Sequence, residues 1–237
     1  MMHPTSTTPE LDLLGRMASA TSRRTFLHWA GLSIGVAAIG CSSDDNGIGP
    51  GGGTGVNLGS GDIGILNYAY ALEQLEAAFY IQVMMSPYTG MTAAETQILT
   101  DIRDHEIIHR NFLKAALGAS AIADLSVTFA TINFSSRSSV LGAAKVFEDL
   151  GVSAYNGAGQ LIASADYLLL AGKIVSVEAR HAAVIRDLLN PNSIDFAGDD
   201  VVTTDTGLDG AKSPAMVLAA ASGFVTTPIN AGNLPTT

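Results

Sequence analysis

The chain has 237 residues, 47% of them hydrophobic and only 14% charged, with a formal net charge of -10. That is ample material for a buried core, and the length allows one large domain or two small ones. Basic residues form no cluster, which excludes recognition of a nucleic-acid backbone and disfavours attraction to an anionic membrane through protein charge. A single cysteine, Cys41, excludes an internal disulfide, a cysteine-built zinc or iron–sulfur site and an on-board rubredoxin-type electron carrier.

Residues 1–40 read as an address. Ser22-Arg23-Arg24-Thr25-Phe26-Leu27 precedes an apolar run from Trp29 to Gly40. Paired arginines Arg23 and Arg24, followed by Phe and Leu and a run too short to span a bilayer, look like a twin-arginine export signal. The plainer alternative is a chance Arg-Arg before a buried helix. The run ends Ala37-Ala38-Ile39-Gly40-Cys41, which resembles a lipoprotein cleavage site with Cys41 as the lipidated residue. Leucine is commoner where Ala38 stands, and ordinary signal-peptidase cleavage nearby is the competing reading. Residues 41–61 are rich in Gly, Ser, Asp and Asn and are expected to form a flexible linker. These features place the protein outside the cytoplasm, in the periplasm or cell envelope, exported by the twin-arginine machinery and touching a membrane only through a lipid on Cys41. From Cys41 onward acidic residues outnumber basic ones 20 to 9.

A long helix is expected from Ile63 to Met85, where apolar residues are dense and breakers are absent after Gly64. Ser86-Pro87-Tyr88-Thr89-Gly90 ends it. Thr92 and Glu95 form a capping-box pattern that opens a second helix, running to about Leu117 before Gly118. The short break makes these two an antiparallel hairpin. Ala119 to Ser136 is long and irregular, enough to cross from one end of a bundle to the other. A third helix spans about Ser138 to Ala163; its glycines point to close helix packing. A fourth runs from about Asp166 to Leu189 and stops at Asn190-Pro191. After a loop-like stretch, Ser213-Pro214 opens a short helix to about Phe224. The fold class is all-α: a bundle over residues 62–226, followed by a tail at 227–237.

The two hairpins repeat one pattern. Glu106-Ile-Ile-His109 and Glu178-Ala-Arg-His181 each put a glutamate and a histidine one helical turn apart. Upstream, Glu73 is followed seven residues later by Tyr80, and Glu148 by Tyr155. The order Glu, Glu-x-x-His, Glu, Glu-x-x-His is what a four-helix bundle needs to hold two metal ions in its core. The neighbours that share each face are apolar, so these groups point inward. Four carboxylates and two neutral imidazoles in one core need compensation, and two divalent cations supply it. Carboxylate and imidazole donors suit iron or manganese, without excluding zinc. Glu106 and Glu178 are expected to bridge; Glu73 with His109 completes one position, and Glu148 with His181 the other. Tyr80 and Tyr155 are expected to hydrogen-bond the carboxylates. The plainer alternative is that some of these groups are solvated or paired with Arg110 and Arg180. Glu76 also lies on an apolar face, but only Glu73 has a tyrosine seven residues on that the second half repeats. His105 points about 100° away from Glu106 and is assigned to the core or the rim.

These stretches carry a family resemblance. Leu66 to Tyr80, Asp149 to Ala158 and Val177 to Ala182 are similar to blocks of the ferritin-like superfamily, in the branch labelled ferritin-like domain or desiccation-related protein. The resemblance covers roughly residues 62 to 226. It implies a ferritin-like four-helix bundle with a long crossover between helices two and three, and a carboxylate-bridged di-metal centre like those of ferritins, rubrerythrins and manganese catalases. The branch has no settled activity, so three functions follow as expectations. The pair of Fe or Mn ions could drive oxidoreductase chemistry with dioxygen or peroxide, of a catalase-like or ferroxidase-like kind. It could hold metal outside the cytoplasm. It could only stabilise a stress-related surface protein. Homo-oligomerisation is left open.

Overall fold

A computed structural model of the chain describes residues 55–236; the expectations for Arg23, Arg24 and Cys41 fall outside these residues. Among the described residues, five α-helices and almost no strand make the fold all-α: α1 Gly61–Met85, α2 Ala93–Leu117, α3 Arg137–Gly159, α4 Ala165–Leu189 and the short α5 Pro214–Ala221. The helix between Thr92 and Gly118 begins as its sequence dictates. Thr92 accepts from the Glu95 backbone N–H, and the Glu95 carboxylate accepts from the Thr92 N–H at 2.8 Å. Ser136, Ser164 and Ser213 cap α3, α4 and α5 through their side chains. The third helix ends at Gly159, four residues before the expected Ala163, because residues 160–164 form a turn that Asp62 secures by accepting from the N–H groups of Ala163 and Ser164 at 2.8 Å.

α1 packs along α2, and α3 along α4; α1 also meets α3, and α5 lies on α3. α1 is the central element. Its buried residues run right round its circumference, from Ile65 to Val83. A helix apolar on all sides is one enclosed on all sides. Its buried polar residues have specific work. Asn67 donates to the carbonyls of Leu58 and Ser120 at 3.0 and 2.9 Å and accepts from the Ile122 N–H at 2.9 Å. Gln74 accepts from the Leu125 N–H at 2.7 Å. Together they fasten the start of the crossover, residues 121–136, to α1.

Further on, the crossover is tied to the C-terminal segment by an antiparallel bridge between Val127 and Val225. Phe79, Phe129, Phe147 and Phe224 interlock here edge to face; the Phe79–Phe147 and Phe147–Phe224 ring centroids are 4.9 and 4.8 Å apart. One expectation is corrected. The end of the segment read as linker is ordered: β1, Val56–Asn57, pairs in parallel with β2, Ile229–Asn230, and Leu58 is fully buried. The backbone pairing and the Leu58 side chain, neither visible in local composition, hold it down. Among the described residues, no helix is long and apolar enough to cross a membrane.

Candidate metal centre

Midway along the bundle each long helix turns acidic residues inward. Glu73, Glu106, Glu148 and Glu178 are all fully buried, and His109 and His181 nearly so. One donor atom from each of Glu73, Glu106, His109 and Glu178 falls in a group within 4.8 Å of one another; Glu106, Glu148, Glu178 and His181 form a second such group. Glu106 and Glu178 belong to both. The six residues singled out in the sequence are therefore brought together, and Glu76 is in neither group.

The two groups are close to mirror copies. His109 Nδ1 lies 2.8 Å from Glu178 Oε1, 3.5 Å from Glu73 Oε2 and 3.8 Å from Glu106 Oε2. His181 Nδ1 lies 2.8 Å from Glu106 Oε1, 3.5 Å from Glu148 Oε2 and 3.7 Å from Glu178 Oε2. Each histidine thus faces the glutamate of the opposite hairpin more closely than the one a turn before it. These are contact distances without hydrogen-bond alignment. Of the eleven buried side-chain polar atoms that lack an aligned partner among the described residues, eight belong to these six side chains. Native interiors leave few such atoms, and each costs about 1–3 kcal/mol. Donor atoms concentrated in one place without aligned hydrogen-bond partners fit divalent cations: three carboxylates and one imidazole nitrogen in each group, with hard oxygen donors predominating.

The electrostatics agree. Burial, reinforced by the Glu178 charge, holds Glu106 well above the usual carboxylate range. Burial raises Glu148 to about 7 against the pull of His181. For the histidines burial works against protonation, but the surrounding carboxylates outweigh it and push both His109 and His181 up to about 12. Without cations this core collects protons, which metal binding would release.

The tyrosines are wired crosswise. Tyr155 of α3 donates to Glu73 Oε1 of α1 at 2.5 Å, and Tyr80 of α1 donates to Glu148 Oε1 of α3. Each fixes one carboxylate oxygen and leaves the other, Glu73 Oε2 or Glu148 Oε2, facing the cluster. His105, assigned to the core or rim, lies on the rim. Its Nδ1 is 2.9 Å from His181 Nε2. With His181 Nδ1 turned to the carboxylates, Nε2 is the nitrogen left to donate to His105, a contact that would fix the ring orientation and, with a metal on Nδ1, the tautomer. Sequence spacing could not reveal this, because His105 reaches across to a different helix. Its counterpart in the second half is Val177, so only one histidine has such a backing. Arg110 and Arg180 take no part in the cluster; the Arg110 guanidinium donates to Asn111.

A small cavity of about 30 Å³ opens one helical turn from Glu73, His109 and Glu178. Leu66, Ala69, Leu113, Tyr155 and Ile174 are among its walls, which are almost wholly apolar. It has room for a water-sized molecule, and little in its lining would hold one.

An all-α bundle with a buried, duplicated Glu/Glu-x-x-His cluster defines a class of carboxylate-rich helical proteins. The chain belongs to the ferritin-like domain family, whose model matches residues 61–191, from the first turn of α1 to just past the end of α4. No curated protein matches the chain.

Proposed function

We propose that this chain is an exported protein that holds a carboxylate-bridged pair of Fe or Mn ions and uses them for redox chemistry with dioxygen or peroxide. The observation that carries the reading is the set of eight buried donor atoms, without aligned partners, divided between two groups that share Glu106 and Glu178. Glu73 and His109 would hold one ion, Glu148 and His181 the other, and the shared glutamates would bridge them. When bound, the pair would exchange electrons with dioxygen or peroxide, the metals being oxidised as the substrate is reduced, or reduced as peroxide is oxidised. The protein's own part is to fix the donors. Tyr155 and Tyr80 hold the terminal carboxylates, and His105 orients His181. The apolar walls from Leu66 to Ile174 keep water off the Glu73/His109 side. Export rests on Arg23 and Arg24 with the apolar run that follows, and attachment to a membrane on Cys41.

The complete burial of the four glutamates favours a second reading, in which the ions are held for stability and the protein serves metal holding or stress protection without turnover. Elemental analysis of protein purified from its native compartment, followed by dioxygen and peroxide consumption before and after metal restoration, separates the two. Two ions per chain with turnover that disappears in Glu106→Ala supports the redox reading. Two ions with no turnover supports the second. A protein that takes up neither iron nor manganese refutes both.

A further inference from the structure

Glu76 is the one buried carboxylate near the cluster that the six-residue site does not use. It is 4% exposed and has neither a hydrogen bond nor an ion pair among the described residues. A carboxylate in that position is expensive unless something positive or hydrogen-donating faces it. Burial pushes its carboxyl well above the usual range, reinforced by Glu178, Glu106, Glu73 and Glu148 in that order. It lies one helical turn from Glu73 on α1, with its head group beside Gly151, one turn from Glu148 on α3.

The duplication makes its placement informative. Glu73 corresponds to Glu148, so Glu76, three residues further on, corresponds to Gly151 of α3. Gly151 is where the Glu76 head group sits: a Cβ added to Gly151 would lie 2.9 Å from Glu76 Oε1. One half of the repeat supplies an acid, and the other supplies the room for it. Gly151 lies inside α3, where glycine weakens a helix by about 1 kcal/mol relative to alanine, so the gap runs against local preference.

We propose that Glu76 is the seventh protein group of the metal centre, a fifth carboxylate that accepts hydrogen bonds from water carried by the ions and makes the two metal positions unlike one another. Its oxygens stand outside both four-donor groups, so a contact with the ions would run through water. Four carboxylates balance two divalent ions; a fifth, supplied by one half of the repeat alone, breaks an otherwise twofold arrangement. Glu76 is thus a positioning residue, and the inference rests on the metal reading above.

The test uses the whole mature protein loaded with Mn(II), comparing the parent, Glu76→Gln and Gly151→Ala. Metal content, the release rate of each ion to a chelator and the electron paramagnetic resonance spectrum are measured. The expected result for Glu76→Gln is two ions still bound, an altered spectrum, and one ion released at least tenfold faster while the other is unchanged. Gly151→Ala, which keeps every acid but displaces the Glu76 head group, should change the spectrum in the same way. Glu76→Gln with spectrum and both release rates equal to the parent's overturns the inference and leaves the metal reading standing. A parent that binds no metal overturns both. If Glu76→Gln fails to fold, Gly151→Ala decides alone, and a spectrum identical to the parent's refutes the proposal.

Discussion

Replacing Glu106 by glutamine should change the sign of its effect on stability according to whether metal is present. Glu106 is fully buried, shared by both donor groups, and held well above its ordinary range by burial and by Glu178. Without metal, a group whose folded pKa is raised in this way weakens the fold at neutral pH. An uncharged isostere removes that penalty, about 1–3 kcal/mol on the scale of buried polar groups in proteins. With metal the order reverses. A ligand present at a hundred times its Kd stabilises by about 2.7 kcal/mol per site, so two sites contribute about 5 kcal/mol. For a domain of this size each kcal/mol moves Tm by about 2–4 °C, which gives the parent a gain of about 10–20 °C on loading with Mn(II) or Fe(II). Glu106→Gln removes a donor from both positions at once and should gain less than about 5 °C under the same conditions. Differential scanning calorimetry of both proteins, with chelator and with metal, reads all four values. The reasoning is refuted if the variant gains as much as the parent, or if without metal it melts well below the parent.

Three further outcomes are expected. Tyr155→Phe removes the donor that holds Glu73 and should weaken metal binding at the Glu73/His109 position by about 10–100-fold, with Tyr80→Phe doing the same at the Glu148/His181 position; competitive chelator titration measures each. Arg186 is 2% exposed and donates to both oxygens of Asp149 at 2.8 Å and to Asp200 at 2.9 Å, joining α4 to α3 and to the loop beyond. Arg186→Met leaves Asp149 without its partner and should cost about 3–5 kcal/mol in urea unfolding, with metal content retained. The third outcome concerns pH. Burial opposes ionisation of Glu95, but the Thr92 N–H, the Arg137 guanidinium and the Thr92 hydroxyl outweigh it and lower the carboxyl to about 2. A depressed folded pKa contributes stability above the unfolded value and loses it as pH falls towards 2. Thr92→Ala should therefore narrow the loss of Tm between about pH 4.5 and 2. Discounted for the exposed Arg137, the contribution of Glu95 is about 1–2 kcal/mol.

What could be read from the sequence was whatever is written locally. The Thr92–Glu95 box, the Ser213-Pro214 pair and the breaker at Ser86 to Gly90 set helix ends within a residue or two, because capping satisfies backbone groups a few residues away. The six candidate donors were visible because helical geometry turns a spacing of three or seven residues into a shared face, and the pattern occurs twice. Contacts made across the fold were not legible. Nothing near Tyr80 says that it serves Glu148 in preference to Glu73. His105 was placed by its angle on α2, which says nothing of the histidine on α4 it would meet. Residues 56–57 find their partners at 229–230, a pairing too brief for an alternating pattern to betray. Arg186 ends α4 as basic residues often do, and its two aspartates belong to α3 and to a loop with no motif.

The crossed tyrosines have an evolutionary corollary. A lone ancestral hairpin carrying the Glu…Tyr and Glu-x-x-His pattern could not have steadied its own terminal carboxylate, since that hydroxyl arrives from the other copy. Two such peptides would have had to associate before either was complete; residues 121–136 now join the two halves. Cutting the chain there should yield fragments that bind no Mn(II) apart and take it up only when mixed.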